Sequence, residues 1–113
     1  MKKILLTGGS GLLGKELQKY RKYIVPSHSE MDVTDFKSVK SFIDEHKPSI
    51  IVHAAAYTDV AKADKEPEDM AECYLTNVIG TRNIVKAANK IPIIYISTEY
   101  VLEPVNFYAL TKL

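Results

Sequence analysis

Four of the chain's five glycines fall within seven consecutive positions: Gly8, Gly9, Gly11 and Gly14. A short apolar run, residues 3–7, precedes them, and an amphipathic helical pattern begins at Leu12. In such a place Gly8 permits a tight turn, Gly11 lets backbone amides approach a pyrophosphate, and Gly14 lets the helix pack closely. The spacing predicts a phosphate cradle between a first strand and a first helix, with a glycine-rich turn that binds nothing as the alternative. The Gly-Lys-Ser/Thr ending of nucleoside triphosphate loops is absent.

Apolar runs and helical patterns alternate along the rest of the chain. Runs typical of buried strands occupy residues 3–7, 23–25, 50–53 and 93–96, and Pro26 stops the second. Helices are predicted from Leu12, after Asp35 as N-cap, and from Pro67, the last with one face formed by Met70, Tyr74, Asn77, Thr81, Ile84, Val85 and Ala88. The alternation predicts an α/β, Rossmann-like fold with a doubly wound parallel sheet in one domain, residues 1–113. Its last strand is expected to leave a hydrophobic edge uncovered.

Charge and composition narrow the classes of function. Fifteen basic and fourteen acidic side chains leave a net charge of +1, so gross charge indicates neither a nucleic acid nor a membrane as partner. A single cysteine, Cys73, predicts a reducing, cytoplasmic setting. The spacing of His28, His46, His53 and Cys73 does not predict a zinc site, and His53 within a strand is expected in the core or supporting the site from behind.

Six short blocks occur in order through nearly the whole chain: TGGSGLLG (residues 7–14), DVTD (32–35), HAAAYTDV (53–60), NVIGT (77–81), STEYV (97–101) and YALTK (108–112). With these blocks the chain resembles the extended short-chain dehydrogenase/reductases, and within them the reductases of 4-keto nucleotide sugars. The resemblance implies a nicotinamide dinucleotide as cofactor and a nucleotide sugar as substrate, and it leaves a homo-oligomer open. NADP is expected, with NAD as the alternative, because residues 26–29 offer no carboxylate to the adenosine ribose.

The resemblance also implies which residues form the site. The residues implied for the cofactor are Gly8, Gly11, Leu12, Leu13 and Gly14 at the pyrophosphate, Asp32 and Val33 at the adenine, Ala56, Tyr57 and Thr58 toward the nicotinamide, and Tyr108 and Lys112. Those implied for catalysis are Thr98, Tyr108 and Lys112, with Thr98 and Glu99 facing the substrate. For Asp32 and Asp35 the alternative is helix capping, which suits Asp35 better than Asp32. For the alanines it is close helix-to-sheet packing.

The pair Tyr108 and Lys112 has a physical rationale of its own. If residues 107–113 are helical, the two side chains are four positions apart and share one face. An ammonium beside a phenol favours phenolate and lowers the pKa of Tyr108, which makes it a better proton donor near neutral pH. The alternative is a surface pair without a catalytic role.

The chain also departs from the family pattern. Only nine residues separate Thr98 from Tyr108, where family members have a longer substrate-facing loop, so a segment is expected to be missing near Glu103. The chain is also expected to lack the C-terminal strands and the smaller substrate domain of the family. It is therefore expected to be part of a longer protein, with a natural fragment or completion by a partner as alternatives. Two functions stay open: NADPH-dependent reduction of a 4-keto nucleotide sugar, or a noncatalytic dinucleotide-binding regulatory subunit or inactive fragment of the same family.

Overall fold

The computed structural model describes residues 2–55 and 67–96. Their elements in chain order are β1 (Ile4–Thr7), α1 (Leu12–Leu17), α2 (Phe36–His46), β2 (Ile50–His53), α3 (Pro67–Tyr74), a π-helical segment (Leu75–Ile79), α4 (Gly80–Ala88) and β3 (Ile93–Tyr95). The three strands form one parallel sheet in the order β1-β2-β3. Ile4 pairs with Ile50 and Ile51 with Ile93, as expected of strands joined by helical crossovers.

Helices cover both faces of this sheet. On one face Leu5 and Ile51 pack under α2 and α4, through side chains that include Val39, Ile43 and Ile84. On the other, the cluster of Ile4, Leu6 and Val52 packs against Leu17 of α1 and Tyr23. The buried strands are therefore apolar on both sides, and the predicted doubly wound α/β fold is confirmed.

The predicted α2 is confirmed together with both of its ends. Asp35 caps it, because its carboxylate accepts a hydrogen bond from the Lys37 amide at 3.1 Å. Lys47 ends it in a left-handed conformation, with its N–H bonded to the Ile43 carbonyl at 2.8 Å, and Pro48 follows. The stripe of Val39, Phe42 and Ile43 is buried as predicted.

The predicted strand at residues 23–25 is present only as a single parallel bridge between Ile24 and Leu5. The Ile24 N–H donates to the Ile4 carbonyl at 2.8 Å, and the Leu6 N–H donates to the Ile24 carbonyl at 2.9 Å. The next donor on this side of the parallel ladder would be residue 26, and Pro26 has no N–H. The strand prediction is therefore wrong in extent, although the predicted stop at Pro26 is correct.

The long helix predicted from Pro67 is interrupted by the π-helical segment. Hydrogen bonds from residue i to i+5 put more residues into each turn, so the buried face shifts around the axis. Asn77, Ile84 and Ala88 of the predicted face are buried, but Tyr74 and Val85 are exposed. The single-face prediction is wrong for those two residues.

β3 runs over three of the four predicted residues. Ile94 and Tyr95 are exposed. The expected uncovered edge of this strand stays a prediction, because residues 97–113 lie outside the described parts of the chain. Within the described parts of the chain no helix has the length and apolar character needed to cross a bilayer.

Candidate functional site

A cleft of about 840 Å³ opens at the carboxyl ends of β1 and β2. From β1 the chain leads to the Ile24 bridge on one side, while β2 pairs on the other, so the cleft lies where the sheet changes winding direction. In open α/β sheets ligands bind at this switch point. The cleft is lined by the glycine turn, residues 8–13, and by parts of residues 25–34, with Thr7, Gln18, Ala54, Ala55, Glu72, Thr76 and Ile96 completing it.

Two of the turn's glycines are required by packing inside the protein. Gly8 has φ +73°, and a Cβ there would lie 2.6 Å from the Ala55 nitrogen at the end of β2. A Cβ on Gly14 would overlap the Gly8 carbonyl oxygen and lie 2.7 Å from the Gly9 Cα. Gly8 therefore brings the turn against β2, and Gly14 brings α1 against the turn.

Gly11 is different, because no neighbour among the described residues requires glycine there. Its φ is −77°, and the nearest atom to an added Cβ would be the Gly8 oxygen at an ordinary 3.5 Å. It lines the cleft and stands as N-cap of α1 without a capping side chain. Lys15 is the first residue whose N–H donates a hydrogen bond within the helix, so the amides before it, from Leu12 onward, have no acceptor inside α1. No acidic side chain lies in this first turn. This end of α1 suits an anion brought close to the backbone.

Leu12 and Leu13 place apolar side chains at the mouth of the cleft. Leu12 is 93% exposed and Leu13 is 42% exposed, although both begin a helix that packs on the sheet. Single exposed leucines are common on protein surfaces, but these two stand side by side next to the glycine turn and line the same cleft.

Residues 27–34 form the side of the cleft beyond the Ile24 bridge, and we call them the rim. Val33 lines the cleft and is buried, and its carbonyl accepts a hydrogen bond from Asn83 Nδ2 at 2.8 Å. Asp32 is absent from the lining. Its Oδ1 accepts from the Thr34 hydroxyl at 2.7 Å and the Thr34 amide at 3.0 Å. The pKa of Asp32 is lowered, mainly because the Thr34 hydroxyl donates to its carboxylate. The Thr34 amide and nearby His28 lower it further, while partial burial opposes the shift.

The rim also contains a carboxylate that the sequence analysis missed. Glu30 lines the cleft, and its Oε1 accepts a hydrogen bond from the Ser27 amide at 2.9 Å. In return the Ser27 hydroxyl accepts from the Glu30 amide at 3.3 Å, and the hydrogen bonds from Ser27 lower the pKa of Glu30. This reciprocal pair is a capping box, whose Ser-x-x-Glu pattern was visible at residues 27–30. No lysine or arginine of the described residues lines the cleft.

The other predicted site residues lie outside the described parts of the chain: Ala56, Tyr57, Thr58, Thr98, Glu99, Tyr108 and Lys112. Ala55 and Ile96, the last described residues before two of these stretches, both line the cleft. Among the described residues no group of histidine, cysteine and carboxylate side chains is arranged to hold a metal ion.

The architecture and the glycine turn at the switch point define a Rossmann-type domain. The family model described as RmlD substrate binding domain matches residues 1–113. The chain belongs to this family of extended short-chain dehydrogenase/reductases. Its relatives there include NAD(P)-dependent sugar reductases and dehydrogenases.

Two curated relatives illustrate the range of the family. The dTDP-4-dehydrorhamnose reductase of Aggregatibacter actinomycetemcomitans is 35% identical in an alignment that covers 91% of this chain and 37% of that protein. The methionine adenosyltransferase 2 subunit beta of Xenopus tropicalis is 28% identical in an alignment that covers 99% of this chain and 41% of that one. The chain thus spans about two fifths of the length of these relatives.

Two solved structures show the same fold with dinucleotides bound. The dTDP-4-dehydrorhamnose reductase of Bacillus anthracis in complex with NADP matches with a TM-score of 0.90 and 30% identity, over 99% of this chain and 47% of that one. The Bordetella bronchiseptica enzyme WbmG in complex with NAD and UDP matches with a TM-score of 0.76 and 26% identity, over 96% and 46%. Structural relatives of the chain therefore bind NADP or NAD.

Proposed function

We propose that this chain supplies the dinucleotide-binding part of an NADPH-dependent reductase that acts on a 4-keto nucleotide sugar such as dTDP-4-dehydrorhamnose. The observation that carries the proposal is Gly11, which lines the cleft and, among the described residues, has no steric or conformational reason to be glycine. A pyrophosphate resting on the backbone at this position supplies that reason. The resemblance to reductases, one of them solved with NADP, supports the choice of cofactor and substrate.

A dinucleotide would extend along the cleft from the glycine turn. Gly11 and the first amides of α1 would hold the pyrophosphate, and the exposed Leu12 and Leu13 would cover it from solvent. Val33 would provide an apolar contact for the adenine, with Asp32 beside it. The path toward the nicotinamide would continue from Ala55 along Ala56, Tyr57 and Thr58.

The chemistry would rest on three side chains. The bound, reduced dinucleotide supplies a hydride for a ketone carbon. Tyr108 would donate a proton to the carbonyl oxygen, and Lys112 would lower the pKa of that phenol and hold the nicotinamide ribose. The Thr98 hydroxyl would hydrogen-bond the carbonyl and orient it, with Glu99 contacting the sugar.

A second candidate is a noncatalytic, dinucleotide-binding regulatory subunit. The likeness to a methionine adenosyltransferase subunit over 99% of the chain favours it. Both candidates bind the dinucleotide, and only the first turns it over. They separate in a single assay that follows NADPH oxidation in the presence of dTDP-4-dehydrorhamnose.

The binding test compares the wild-type chain, Gly11→Ala and Lys15→Ala by titration with NADPH. Wild type should bind saturably, and Gly11→Ala should bind roughly tenfold more weakly with unchanged unfolding by urea, because its methyl group occupies the place of the pyrophosphate. Lys15→Ala, in the same helix but outside the cleft lining, should bind as wild type. The absence of saturable binding, or equal affinity in all three proteins, would overturn the proposal.

The turnover test uses the protein as its gene encodes it. Wild type should oxidise NADPH when dTDP-4-dehydrorhamnose is added, and Tyr108→Phe should be slower by about a hundredfold or more with little change in NADPH affinity. Binding without turnover in wild type selects the regulatory candidate.

A further inference from the structure

His53, the last residue of β2, is buried between two threonine hydroxyls. Its side chain is only 1% exposed, and its Nδ1 lies 2.7 Å from Thr7 Oγ1 at the end of β1. Its Nε2 lies 3.0 Å from Thr81 Oγ1 in α4. The ring of Tyr95, at the end of β3, stacks against it with centroids 6.1 Å apart. One imidazole thus touches the carboxyl ends of the other two strands and one helix.

The hydrogen bonds at Thr7 determine where the protons lie. Thr7 Oγ1 accepts from the Ala54 amide at 3.1 Å and from the Ala55 amide at 3.0 Å, which occupies both lone pairs of the hydroxyl oxygen. The Thr7 hydroxyl must then donate its own proton to His53 Nδ1. The ring is therefore neutral with its proton on Nε2, which donates to the Thr81 hydroxyl. A cationic ring would point a second N–H at an oxygen without a free lone pair.

The two amides held by Thr7 form part of the cleft. Ala54 and Ala55 line it, and they are also the groups against which Gly8 packs without a Cβ. Their separation from the glycine turn is thus set by one hydroxyl group, whose direction is set by the imidazole. Without an acceptor at Nδ1, the Thr7 hydroxyl would be free to rotate and would hold these amides less firmly.

We propose that His53 is a positioning residue: as a neutral ring protonated on Nε2 it fixes the Thr7 hydroxyl, and through it the Ala54 and Ala55 amides at the floor of the cleft. The part of this proposal that concerns cofactor affinity rests on the proposed function. The part that concerns the proton and the two amides does not depend on any ligand.

Two variants of nearly the same size separate this role from simple packing. In His53→Asn the amide oxygen can take the place of Nδ1 and accept from Thr7, but the side chain is too short to reach Thr81. In His53→Gln the amide group reaches the position of Nε2 and leaves Thr7 without its acceptor. A merely space-filling histidine would give two variants with the same local behaviour.

The first measurement needs no cofactor. Nitrogen-15 NMR of the wild-type imidazole should show a neutral, Nε2-protonated ring at pH 7. Hydrogen exchange at Ala54 and Ala55 should stay close to wild type in His53→Asn and become roughly tenfold faster in His53→Gln. Thr7→Ser and Thr7→Val provide a second pair, with the serine variant retaining the protection and the valine variant losing it.

The second measurement is titration with NADPH. His53→Gln should bind roughly tenfold more weakly than His53→Asn, which should bind like wild type. A wild-type chain that does not bind NADPH contradicts the proposed function, while the exchange data still decide the role of His53. A cationic or Nδ1-protonated ring overturns the proposal, and so does equal amide exchange in the asparagine and glutamine variants together with equal exchange in the Thr7 pair.

Discussion

The two sides of the cleft are built in different ways. At the junction of β1 and β2, Thr7 and His53 are buried, and Gly8 and Gly14 remove the Cβ atoms that would hold the segments apart. At the rim, residues 27–34, the main polar contacts are between near neighbours, such as Ser27 with Glu30, and several of the side chains are exposed. Packing therefore dictates the residues of the junction, whereas the exposed side chains of the rim can change at small cost to folding. For the proposed dinucleotide, the first side would fix where the ligand lies, and the second could select among ligands.

The largest effect is expected at the junction, from Gly14→Ala. The added methyl group meets the backbone of Gly8 and Gly9, which cannot rotate away as a side chain can, so α1 or the turn must shift. We expect a loss of about 3 kcal/mol in the free energy of unfolding, measured by urea denaturation. Gly11→Ala is the matched control and should stay within about 0.5 kcal/mol of wild type. Equal stabilities for the two variants would contradict the assignment of different roles to the two glycines.

The intermediate effect concerns the rim and depends on the proposed cofactor. Glu30→Gln removes a negative charge from the cleft lining while keeping the size of the side chain and an oxygen for the Ser27 amide. NADPH carries a 2′-phosphate that NADH lacks, so the affinity for NADPH relative to NADH should rise by about fivefold, and less at high salt. Titration of both dinucleotides measures the ratio, and stability in urea should hardly change. A ratio that does not rise would mean that Glu30 does not face the adenosine ribose.

The smallest effect is a dependence of stability on pH that comes from Asp32. Because hydrogen bonds from Thr34 lower its pKa in the folded protein, ionised Asp32 stabilises the fold above its unfolded pKa of about 4. This contribution is lost as the pH falls through the lower folded value. Asp32→Asn should therefore be slightly less stable than wild type at pH 6, and this difference should shrink as the pH falls below about 4, as judged by the urea midpoint. A difference that stays the same over this range would show that the Asp32 charge contributes nothing.

Most of the sheet and the capped helix could be predicted because their signals are local. Continuous apolar runs predict β1 and β2, and Asp35 with its apolar stripe predicts α2. The errors arise where the outcome depends on partners elsewhere in the chain. Whether Pro26 ends a strand or reduces it to a single bridge depends on how residues 24–26 are aligned with Leu6 of β1. A regular helical pattern also assumes one straight buried face, and the π-helical segment shifts that face around the axis.

For the candidate site, too, the features with local signals could be predicted, and those that depend on distant residues could not. The roles of Gly8 and Gly14 follow from their spacing, and the structure gives a steric reason for each. Glu30 was missed because no sequence pattern states that a carboxylate capping a turn also lines a cleft. The hydrogen-bond network of His53 was beyond prediction as well, since it joins Thr7 to a residue 46 positions away.

The 46 positions between Thr7 and His53 affect how the site forms during folding. Parallel pairing of Ile4 with Ile50 closes a long loop before any contact between the two strands is gained, so the entropy lost in closure is recovered only late. No short fragment of the chain can preassemble the cleft. A dinucleotide that binds it would recognise only molecules that have completed this closure, and saturating ligand would raise the melting temperature by mass action.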